Sequence, residues 1–453
     1  MYRCVIAAFL CALLIGSGRP VPIGAAPPQS DSSAEHALPL SPSWPANIRA
    51  FLTLESSTPV FDVVYRYGEA RAASNGAYGG NVSASRSHWY VETQRAGAVD
   101  IIAGVLHRNA AMIEEGLSML RFALNRENGT GAFPGSAWPF HGTAFFLSDV
   151  APALVFLKYS PMSDQFAADL QWQTRRIRLA ARHLISVVGG VGRIDDRTKN
   201  HRFYEAALAL GASGVLAGNA TLVRWSQPYL RTAMGMQRPD GVMPEDGGHD
   251  TGYQALGMVD AVRYLTLVAA RSQQSTLRRT LQRGEQWELS RVRRDGTIDQ
   301  SGDTRTTGCQ ERDTSGSCKT TFYATIANAL ARWSALSGIS SFERAAYLVW
   351  LQNWQRVPGD VLPPAGLWVR PAVVHRGQWL AVWGTRFQPL ERVTVTLAGH
   401  ELGRRICDMT GSFGGHSPVG NIYVPLPSLT RGTYRLVARG SFGTVRSTML
   451  QVS

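Results

Sequence analysis

A turn containing glycine recurs through the first two thirds of this chain, at intervals of roughly 50 to 60 residues. The turns are Asn128-Gly129-Thr130, Gly189-Gly190-Val191-Gly192, Asp240-Gly241-Val242 and Asp295-Gly296-Thr297. Each interval has room for two helices and two loops, and a period of this length is typical of a repeat architecture. The recurrence therefore predicts a stack of helical hairpins.

The sequence between these turns has the apolar period of helices, from about residue 45 to residue 360. In GAVDIIAGVLHRNAAMIEEGLSMLRFALN and again in YQALGMVDAVRYLTLVAAR, apolar residues return every three to four positions, as they do on one face of an α-helix. One inner and one outer helix per unit would form an α/α toroid, an incomplete barrel of helical hairpins. We therefore expect a mostly α protein whose residues 45–360 form this toroid.

The pattern changes near residue 357. Three prolines between residues 358 and 364 interrupt the helical period, and runs such as RVTVTLAG and TYRLVARG then alternate apolar and polar residues, which predicts strands. We expect residues 361–453 to form a small C-terminal β-sandwich similar to immunoglobulin-like modules. Trp379 and Trp383 have two interpretations. They bind carbohydrate or a partner, or they fill the core of a structural spacer, which is the favoured interpretation.

The N-terminus has the features of a secretion signal. Arg3 precedes an apolar run from Cys4 to Gly16, and small residues follow, as in cleaved signal peptides. The run is too short to span a bilayer. We therefore expect a signal peptide over residues 1–26, a flexible leader rich in Pro and Ser over residues 27–44, no integral membrane segment, and a secreted protein, extracellular or periplasmic.

Three of the five cysteines remain once the signal peptide is removed. Cys309 and Cys318 flank the polar loop QERDTSGS, so we expect a disulfide between them in an oxidising compartment. Cys407 is left over, and we interpret it as a buried thiol. No set of Cys and His has the spacing of a zinc site, and we expect neither a metal nor another cofactor.

The basic side chains are almost all arginine. Of the 46 Lys and Arg residues only Lys158, Lys199 and Lys319 are lysine, which leaves 43 arginines in a chain of formal charge +13. The planar guanidinium of arginine suits carboxylates and phosphates. The arginines are scattered and form no nucleic-acid-binding motif, so we expect an acidic polysaccharide rather than nucleic acid as the partner. A merely solvated, Arg-rich surface is the alternative, and the oligomeric state is left open.

Polar and aromatic residues follow the glycine turns, at the places where inner helices would begin. They are His88, Trp138, His141, Asn200, His201, His249 and Tyr253. If the inner helices begin at one rim, these side chains line one mouth, where loops and helix ends form the pockets of such folds. We assign the members other than Asn200, His201 and Tyr253 to substrate binding, and we add Arg202 and Arg238 as ligands of substrate carboxylates.

Asn200, His201 and Tyr253 have the chemistry that β-elimination from a uronate requires. The C5 proton of a uronate is weakly acidic until its carboxylate is neutralised, which an amide does without adding a competing base. A histidine then removes the proton near neutral pH, and a tyrosine protonates the glycosidic oxygen. Glu205 lies four residues after His201 on the same face of a helix, and we expect it to hold His201 in one tautomer.

Two segments resemble the toroid of alginate lyases and of heparinase II/III-type polysaccharide lyases. They are TKNHRFYEAALALGASGVLAGN and, further along the chain, GGHDTGYQALGMVDAVRYL. The resemblance implies that Asn200 neutralises the carboxylate, that His201 is the base, and that Tyr253 is a base or an acid. It implies a lyase that needs no metal and acts on an alginate- or glucuronan-like polymer. The tail after residue 360 is smaller than the β-sheet domain of the heparinase-type enzymes, and the Lys-rich lid loop of the alginate lyases is not recognisable.

Two other functions are compatible with the same sequence. A toroid glycoside hydrolase needs two carboxylates across the scissile bond. Its candidates are Asp240, Glu245, Asp246 and Asp250 for one carboxylate, and Asp149, Asp195 and Asp196 for the other. A secreted glycan-binding protein without turnover is the remaining alternative. Purely structural roles are also open for Asn200, as a helix N-cap, and for Tyr253, as a core residue.

Overall fold

The computed structural model describes residues 44–57, 72–82, 88–186, 197–312, 318–355, 365–388, 391–407, 411–414 and 421–453. The predicted signal peptide and all of the leader except residue 44 lie outside the described residues. The same is true of Asp195, Asp196 and the turn Gly189-Gly190-Val191-Gly192.

The described part of the chain contains eleven α-helices, most of them paired in hairpins. They are α1 (Trp44–Ser57), α2 (Ala96–His107), α3 (Ala110–Leu124), α4 (Pro139–Lys158), α5 (Ala167–Ser186), α6 (Asn200–Ala217), α7 (Ala220–Met236), α8 (Thr251–Leu267), α9 (Arg271–Arg291), α10 (Tyr323–Ser337) and α11 (Ser340–Gln355). Five hairpins run from α2–α3 to α10–α11, and the first helix of each contacts the first helix of the next. These contacts define an inner row, α2, α4, α6, α8 and α10, and an outer partner for each member.

Inner and outer helices differ in how their side chains are buried. In the outer helix α5, the buried residues include Leu170, Ile177 and Leu184 and follow a helical period, so one face packs and the other meets solvent. In the inner helix α6, 16 of the 18 residues are buried. Small residues make this close packing possible, because a Cβ on Gly257 of α8 would lie 3.1 Å from the Cα of His201.

The three recurring glycine turns that the structure describes are equivalent. Gly131, Gly241 and Gly296 all have φ between 84° and 96°, a conformation that favours glycine, so in the first turn the equivalent glycine is Gly131 rather than the predicted Gly129. An added Cβ would lie 2.1 to 2.3 Å from a backbone oxygen of the outer helix of the following hairpin, namely that of Leu179, Arg283 or Leu348. Each turn is therefore packed against one outer helix, which explains why glycine recurs at this period.

α1 is fixed to the inner row by a buried ion pair. The Glu55 carboxylate accepts a hydrogen bond from Arg332 of α10 at 2.8 Å and lies 3.4 Å from Arg263 of α8. The side chain of Asn47 donates to the Ala269 carbonyl at 3.0 Å. Glu55 and Arg332 are wholly buried, so removal of either partner would leave an uncompensated charge in the core.

The C-terminal region forms two β-sheets. Its strands are β1 (Gly366–Arg370), β2 (Val373–Val374), β3 (Trp379–Thr385), β4 (Arg392–Leu397), β5 (His400–Ile406), β6 (Ile422–Pro425), β7 (Gly432–Gly440) and β8 (Val445–Val452). One sheet has the order β1-β3-β6 and the other β2-β8-β7-β4-β5. Alternate residues of both sheets, among them Val382 and Val395, form one hydrophobic cluster. The prediction of a mostly α chain that ends in a β region is confirmed.

One described helix, α4, is long and apolar enough to cross a bilayer by length and composition alone. However, 83% of its most apolar window is buried inside the protein. It lies in the inner row between α2 and α6, and core helices of globular proteins have the same composition. Its apolar character is therefore accounted for by packing.

Candidate active site

A cavity of about 830 Å³ lies at the N-terminal ends of the inner helices. Every helix of the inner row contributes to its wall, through Ala96 of α2, His141 of α4, His201 of α6, Tyr253 of α8 and Thr325 of α10. The helix dipole favours anions at such ends, but the first backbone N–H groups of α6 and α8 are already paired, since His201 donates to Glu245 at 3.0 Å and Tyr253 donates to Asp250 at 3.1 Å. The cavity therefore brings together several of the helix-borne residues that the sequence singled out.

His201 is held by Glu245, which lies on the loop before α8. Its Nδ1 lies 2.7 Å from Glu245 Oε1, and the same oxygen accepts the backbone N–H of His201 at 3.0 Å. Burial, and then the charges of Arg305 and Arg202, lower the pKa of His201 well below 6.5. The imidazole is therefore neutral near pH 7, and an Nδ1–H donated to Glu245 leaves Nε2 with a free lone pair.

Glu245 is itself held by a cation. Arg305 Nη1 donates to Glu245 Oε2 at 3.2 Å. Burial raises the pKa of Glu245 to about 8, although the His201 backbone N–H and the Arg305 guanidinium oppose this shift. A carboxyl oxygen that accepts from one nitrogen of a histidine fixes the tautomer and the orientation of the ring.

Tyr253 lies next to His201, and its hydroxyl contacts both a carboxylate and a lysine. The two rings are 4.7 Å apart between centroids. The Tyr253 hydroxyl donates to Glu311 Oε2 at 2.7 Å and accepts from Lys319 Nζ at 2.7 Å. The Arg305 guanidinium lies 3.5 Å from the ring centroid. Burial, and then the neighbouring Glu311, raise the pKa of Tyr253 against the effect of Arg305, so the phenol keeps its proton at neutral pH.

Glu311 and Lys319 belong to a loop that a disulfide closes. Cys309 and Cys318 are paired, and the backbone N–H of Lys319 donates to the Glu311 carbonyl at 2.8 Å. Burial alone would raise the pKa of Glu311. The hydrogen bonds from Arg305 and Tyr253 and the positive charges of Arg305 and Lys319 outweigh this effect and lower the pKa to about 2. The disulfide thus holds together the two chain positions that carry an ionised carboxylate and a lysine, which contact the same hydroxyl and lie 3.4 Å from each other.

A second histidine, His141, has a different carboxylate partner. Its Nδ1 lies 3.2 Å from Glu205 Oε1. The expectation that Glu205 orients His201 is therefore corrected, because the nearer partner of His201 Nδ1 is Glu245. Glu92 also lines the cavity, and its pKa is raised by burial, which His141 partly opposes.

Asn200 does not face the cavity. Its side chain is wholly buried and donates to the Ala233 carbonyl of α7 at 2.8 Å. It is the first residue of α6 rather than its N-cap, which is Lys199, so the structural alternative is corrected as well. Consecutive side chains of a helix point about 100° apart. Because His201 points to the cavity, the preceding residue, Asn200, points to α7.

Three other predicted ligands lie outside the cavity wall. His249 Nε2 is 3.2 Å from the Ser301 carbonyl, with its ring against Trp287. Arg238 donates to the Gly247 carbonyl, and His88 is exposed, 3.1 Å from the Tyr90 hydroxyl. Their assignment to substrate binding in this cavity is therefore not supported by their position.

Trp138 is the aromatic residue at the cavity rim. It is 58% exposed and stands directly before α4 with φ of 45°, a conformation uncommon for any residue but glycine. Its ring lies 6.1 Å from that of Tyr90. Strained backbone at a pocket is a frequent mark of function, and the exposed indole offers a flat apolar surface at this place.

The charges around the cavity are mostly positive. Five cations line it, namely Arg95, Arg202, Arg305, Arg312 and Lys319, against three carboxylates, Glu92, Asp149 and Glu311. Asp149 is paired with Arg95 at 2.8 Å and with Arg263 at 2.7 Å. Among the described residues no cluster of three or more His, Cys, Asp and Glu side chains has the geometry to hold a metal ion. The lining therefore has a formal excess of two positive charges.

Four site residues were not predicted from the sequence in these roles. One is Glu245, which is the partner of His201. The others are Arg305, Glu311 and Lys319. One signal was available, because Lys319 is one of three lysines among 46 basic residues and lies beside a predicted disulfide. A scan against protein-family profiles and a search of curated proteins give no match to this chain.

Proposed function

We propose that this protein is a secreted polysaccharide lyase that cleaves a uronate-containing polysaccharide by β-elimination. We further propose that the five hairpins form an α/α toroid and that the two sheets form an immunoglobulin-like sandwich. One observation carries the proposed function. His201, oriented by the Glu245 carboxyl group, lies against Tyr253, whose hydroxyl contacts Glu311 and Lys319, in a cavity lined by five cations and three carboxylates.

The reaction divides naturally among these groups. Cations of the cavity wall, with Arg202, Arg305 and Lys319 as the candidates, stabilise the uronate carboxylate as charge builds on the enolate. This replaces the role first expected of Asn200. His201 Nε2 takes the C5 proton, and the electron pair of the C5–H bond forms the C4–C5 double bond as the C4–O bond breaks. Tyr253 gives its proton to the leaving oxygen, and Lys319 is placed to return one.

The product distinguishes this proposal from its alternatives. Elimination creates an unsaturated uronyl end that absorbs in the near ultraviolet, whereas hydrolysis creates only a new reducing end. We would incubate the protein with alginate, glucuronan, pectate, hyaluronan and heparin, and follow absorbance and reducing ends together. We expect both to rise in parallel on at least one polymer. New reducing ends without absorbance, or no product from any of the five polymers, would contradict the proposal.

The matched variants are His201→Ala and His249→Ala. His201 faces the cavity, whereas His249 follows the same kind of turn but lies outside the wall. Loss of a general base costs about 10² or more in turnover, so we expect that loss from His201→Ala and close to full turnover from His249→Ala. Equal loss in both variants would indicate a structural effect rather than proton transfer.

A second candidate, glycoside hydrolysis, is favoured by one pair of carboxylates. Glu92 and Glu311 both line the cavity, and the pKa of Glu92 is raised by burial while that of Glu311 is lowered to about 2 by its cationic partners. Carboxylates with pKa values driven apart are typical of an acid and its partner in glycosidases. Of the carboxylates first proposed for this role and described in the structure, Asp149 lines the cavity but is held by two arginines. Elimination is preferred because Glu311 is already engaged by Tyr253, Arg305 and Lys319.

A further inference from the structure

The outer face of the three-stranded sheet carries exposed aromatic side chains. Trp379 of β3 is 63% exposed and Tyr423 of β6 is 64% exposed. They are among the most exposed large apolar residues that the structure describes, and they lie on adjacent strands, where Trp379 is opposite Pro425 and Ala381 is opposite Tyr423. The favoured sequence interpretation, a spacer with its tryptophans in the core, does not hold for Trp379.

The same face continues onto β1. Trp368 is paired with Trp383 across the strands, and their rings lie 6.3 Å apart and nearly parallel, at 12°. The guanidinium of Arg370 lies 5.8 Å from the Trp383 ring. Strand alternation puts these residues opposite the buried Leu367 and Val382, so they share the outer surface. We call the set Trp368, Arg370, Trp379, Trp383 and Tyr423 the aromatic face.

The net charge of the C-terminal region indicates which class of ligand the aromatic face suits. Residues 361–453 contain ten arginines, no lysine and three acidic residues, so this region contributes +7 of the +13 of the whole chain. One of the acids, Glu391, is wholly buried and accepts hydrogen bonds from backbone N–H groups of Phe442 and Thr444. The aromatic face therefore belongs to a positively charged region, and it has its own arginine in Arg370.

We infer that the aromatic face is a second polysaccharide-binding site, separate from the cavity, and that it binds an acidic polysaccharide. Indole and phenol rings offer flat apolar area with little rotamer entropy to lose, which suits the apolar faces of pyranose rings. Arg370 supplies a planar donor for a carboxylate. A second copy of the chain is disfavoured as occupant, because docking would bring two regions of charge +7 together.

This inference rests on the proposed function only for its choice of ligand class, and its test measures binding apart from turnover. All proteins would be full-length and would carry His201→Ala, so that the polymer stays intact if elimination occurs. Alginate, glucuronan and pectate would be titrated into each protein by calorimetry in 0.15 M salt, where the Debye length is about 8 Å. Dextran serves as the neutral polymer and single-stranded DNA as a different polyanion.

The decisive variant is Trp379→Ala with Tyr423→Ala, and the matched control is Tyr159→Ala, a 46% exposed aromatic residue of the helical region. Loss of aromatic anchors should weaken binding of at least one uronate polymer about tenfold or more, while the control leaves the affinity unchanged. Arg370→Gln should weaken binding by a smaller factor than the double variant, whereas Arg439→Gln, on the other sheet, should have little effect. Circular dichroism of each variant would show that its fold is retained.

Several outcomes would overturn the inference. Unchanged affinity of the double variant for every uronate polymer would exclude the aromatic face as the binding site. Equal affinity for dextran and for the uronate polymers would exclude an acidic ligand, and binding of DNA alone would assign the face to nucleic acid. A lyase assay that fails while binding persists would contradict the proposed function and leave this site standing.

Discussion

The two walls of the cavity are built in different ways. One wall consists of helix-borne residues, His141, His201 and Tyr253, each within the first three residues of an inner helix. The other consists of Arg305, Glu311 and Lys319, which stand on one irregular segment between α9 and α10, within or beside the loop that the Cys309–Cys318 disulfide closes. The helical wall carries the His201 imidazole and the Tyr253 phenol, and the loop wall carries the charged groups that contact Tyr253. A repeat fold therefore brings side chains together by its period, while one irregular loop supplies their charged neighbours.

The largest expected effect comes from the helical wall. Tyr253→Phe removes one hydroxyl and leaves the ring in its contacts with Arg305 and Phe322. If the hydroxyl protonates the leaving group, turnover should fall by about 10² or more. Tyr264→Phe is the matched control, since this tyrosine lies on the same helix, its hydroxyl is hydrogen-bonded to Ser226, and it does not line the cavity. Initial rates by ultraviolet absorbance would measure both, and a Tyr253→Phe variant with full activity would remove Tyr253 from the reaction.

The loop wall should give a smaller loss. Lys319→Met removes the donor to the Tyr253 hydroxyl, and hydrogen bonds to charged groups contribute about 1.5–3 kcal/mol, so we expect turnover to fall by roughly ten- to a hundredfold. Lys319→Arg should restore part of it. Lys158→Met is the control, because this lysine donates to the Leu216 carbonyl and does not line the cavity. If Lys319→Met had the activity of its control, the loop would not tune Tyr253.

Opening the disulfide should affect stability first. Replacing Cys309 and Cys318 by serine releases a short loop, which costs about 2–3 kcal/mol of unfolding free energy. Turnover should also fall, because Glu311 and Lys319 lose their fixed spacing. Urea unfolding and initial rates would be compared with the unsubstituted chain. Thiol labelling of the native protein at Cys309 and Cys318 would contradict the pairing itself.

The smallest expected effect is on the pH dependence of kcat/KM. The pKa of His201 is lowered well below 6.5 by burial and by Arg305 and Arg202, and its neutral form is the base. We therefore expect kcat/KM to persist at pH 6 and to fall only on further acidification. The unfolded chain binds this proton more tightly, so the associated stability is present above pH 6.5 and is lost as the pH falls through the folded-state pKa. An acid limb at or above pH 6.5 would contradict the assignment.

The same contrast explains what could be predicted from the sequence. Trp138, His141, His201, Arg202 and Tyr253 all line the cavity, and each follows from the period that marks where inner helices begin. Side-chain direction was harder. The adjacency of Asn200 and His201 suggested that both act together, yet neighbouring helical positions face different sides. Arg305 and Glu311 gave no periodic signal, because a long loop has no period that relates it to distant helices.

The β region shows a related limit. Alternation of apolar and polar residues predicted strands correctly, but it defines two faces without stating which of them meets solvent. Tryptophan is apolar enough to be assigned to a core by default, and that default placed Trp379 on the wrong side. Leu380 and Val382, which alternate with Trp379 on β3, are buried. Their burial identifies Trp379 as a residue of the solvent-facing side, but only the structure shows that the second sheet covers them.

The ion pair between Glu55 and Arg332 has a consequence for the order in which the chain matures. The two residues are 277 positions apart, and the Asn47 contact with Ala269 spans 222. During synthesis α1 emerges before the other described helices, but its docking partners on α8 and α10 emerge near the end of the helical region. Contacts of such large sequence separation form slowly, and a charged Glu55 gains little by burial before Arg332 arrives. The first helix is therefore expected to be among the last to dock, and a chain interrupted before residue 332 should remain open to proteases.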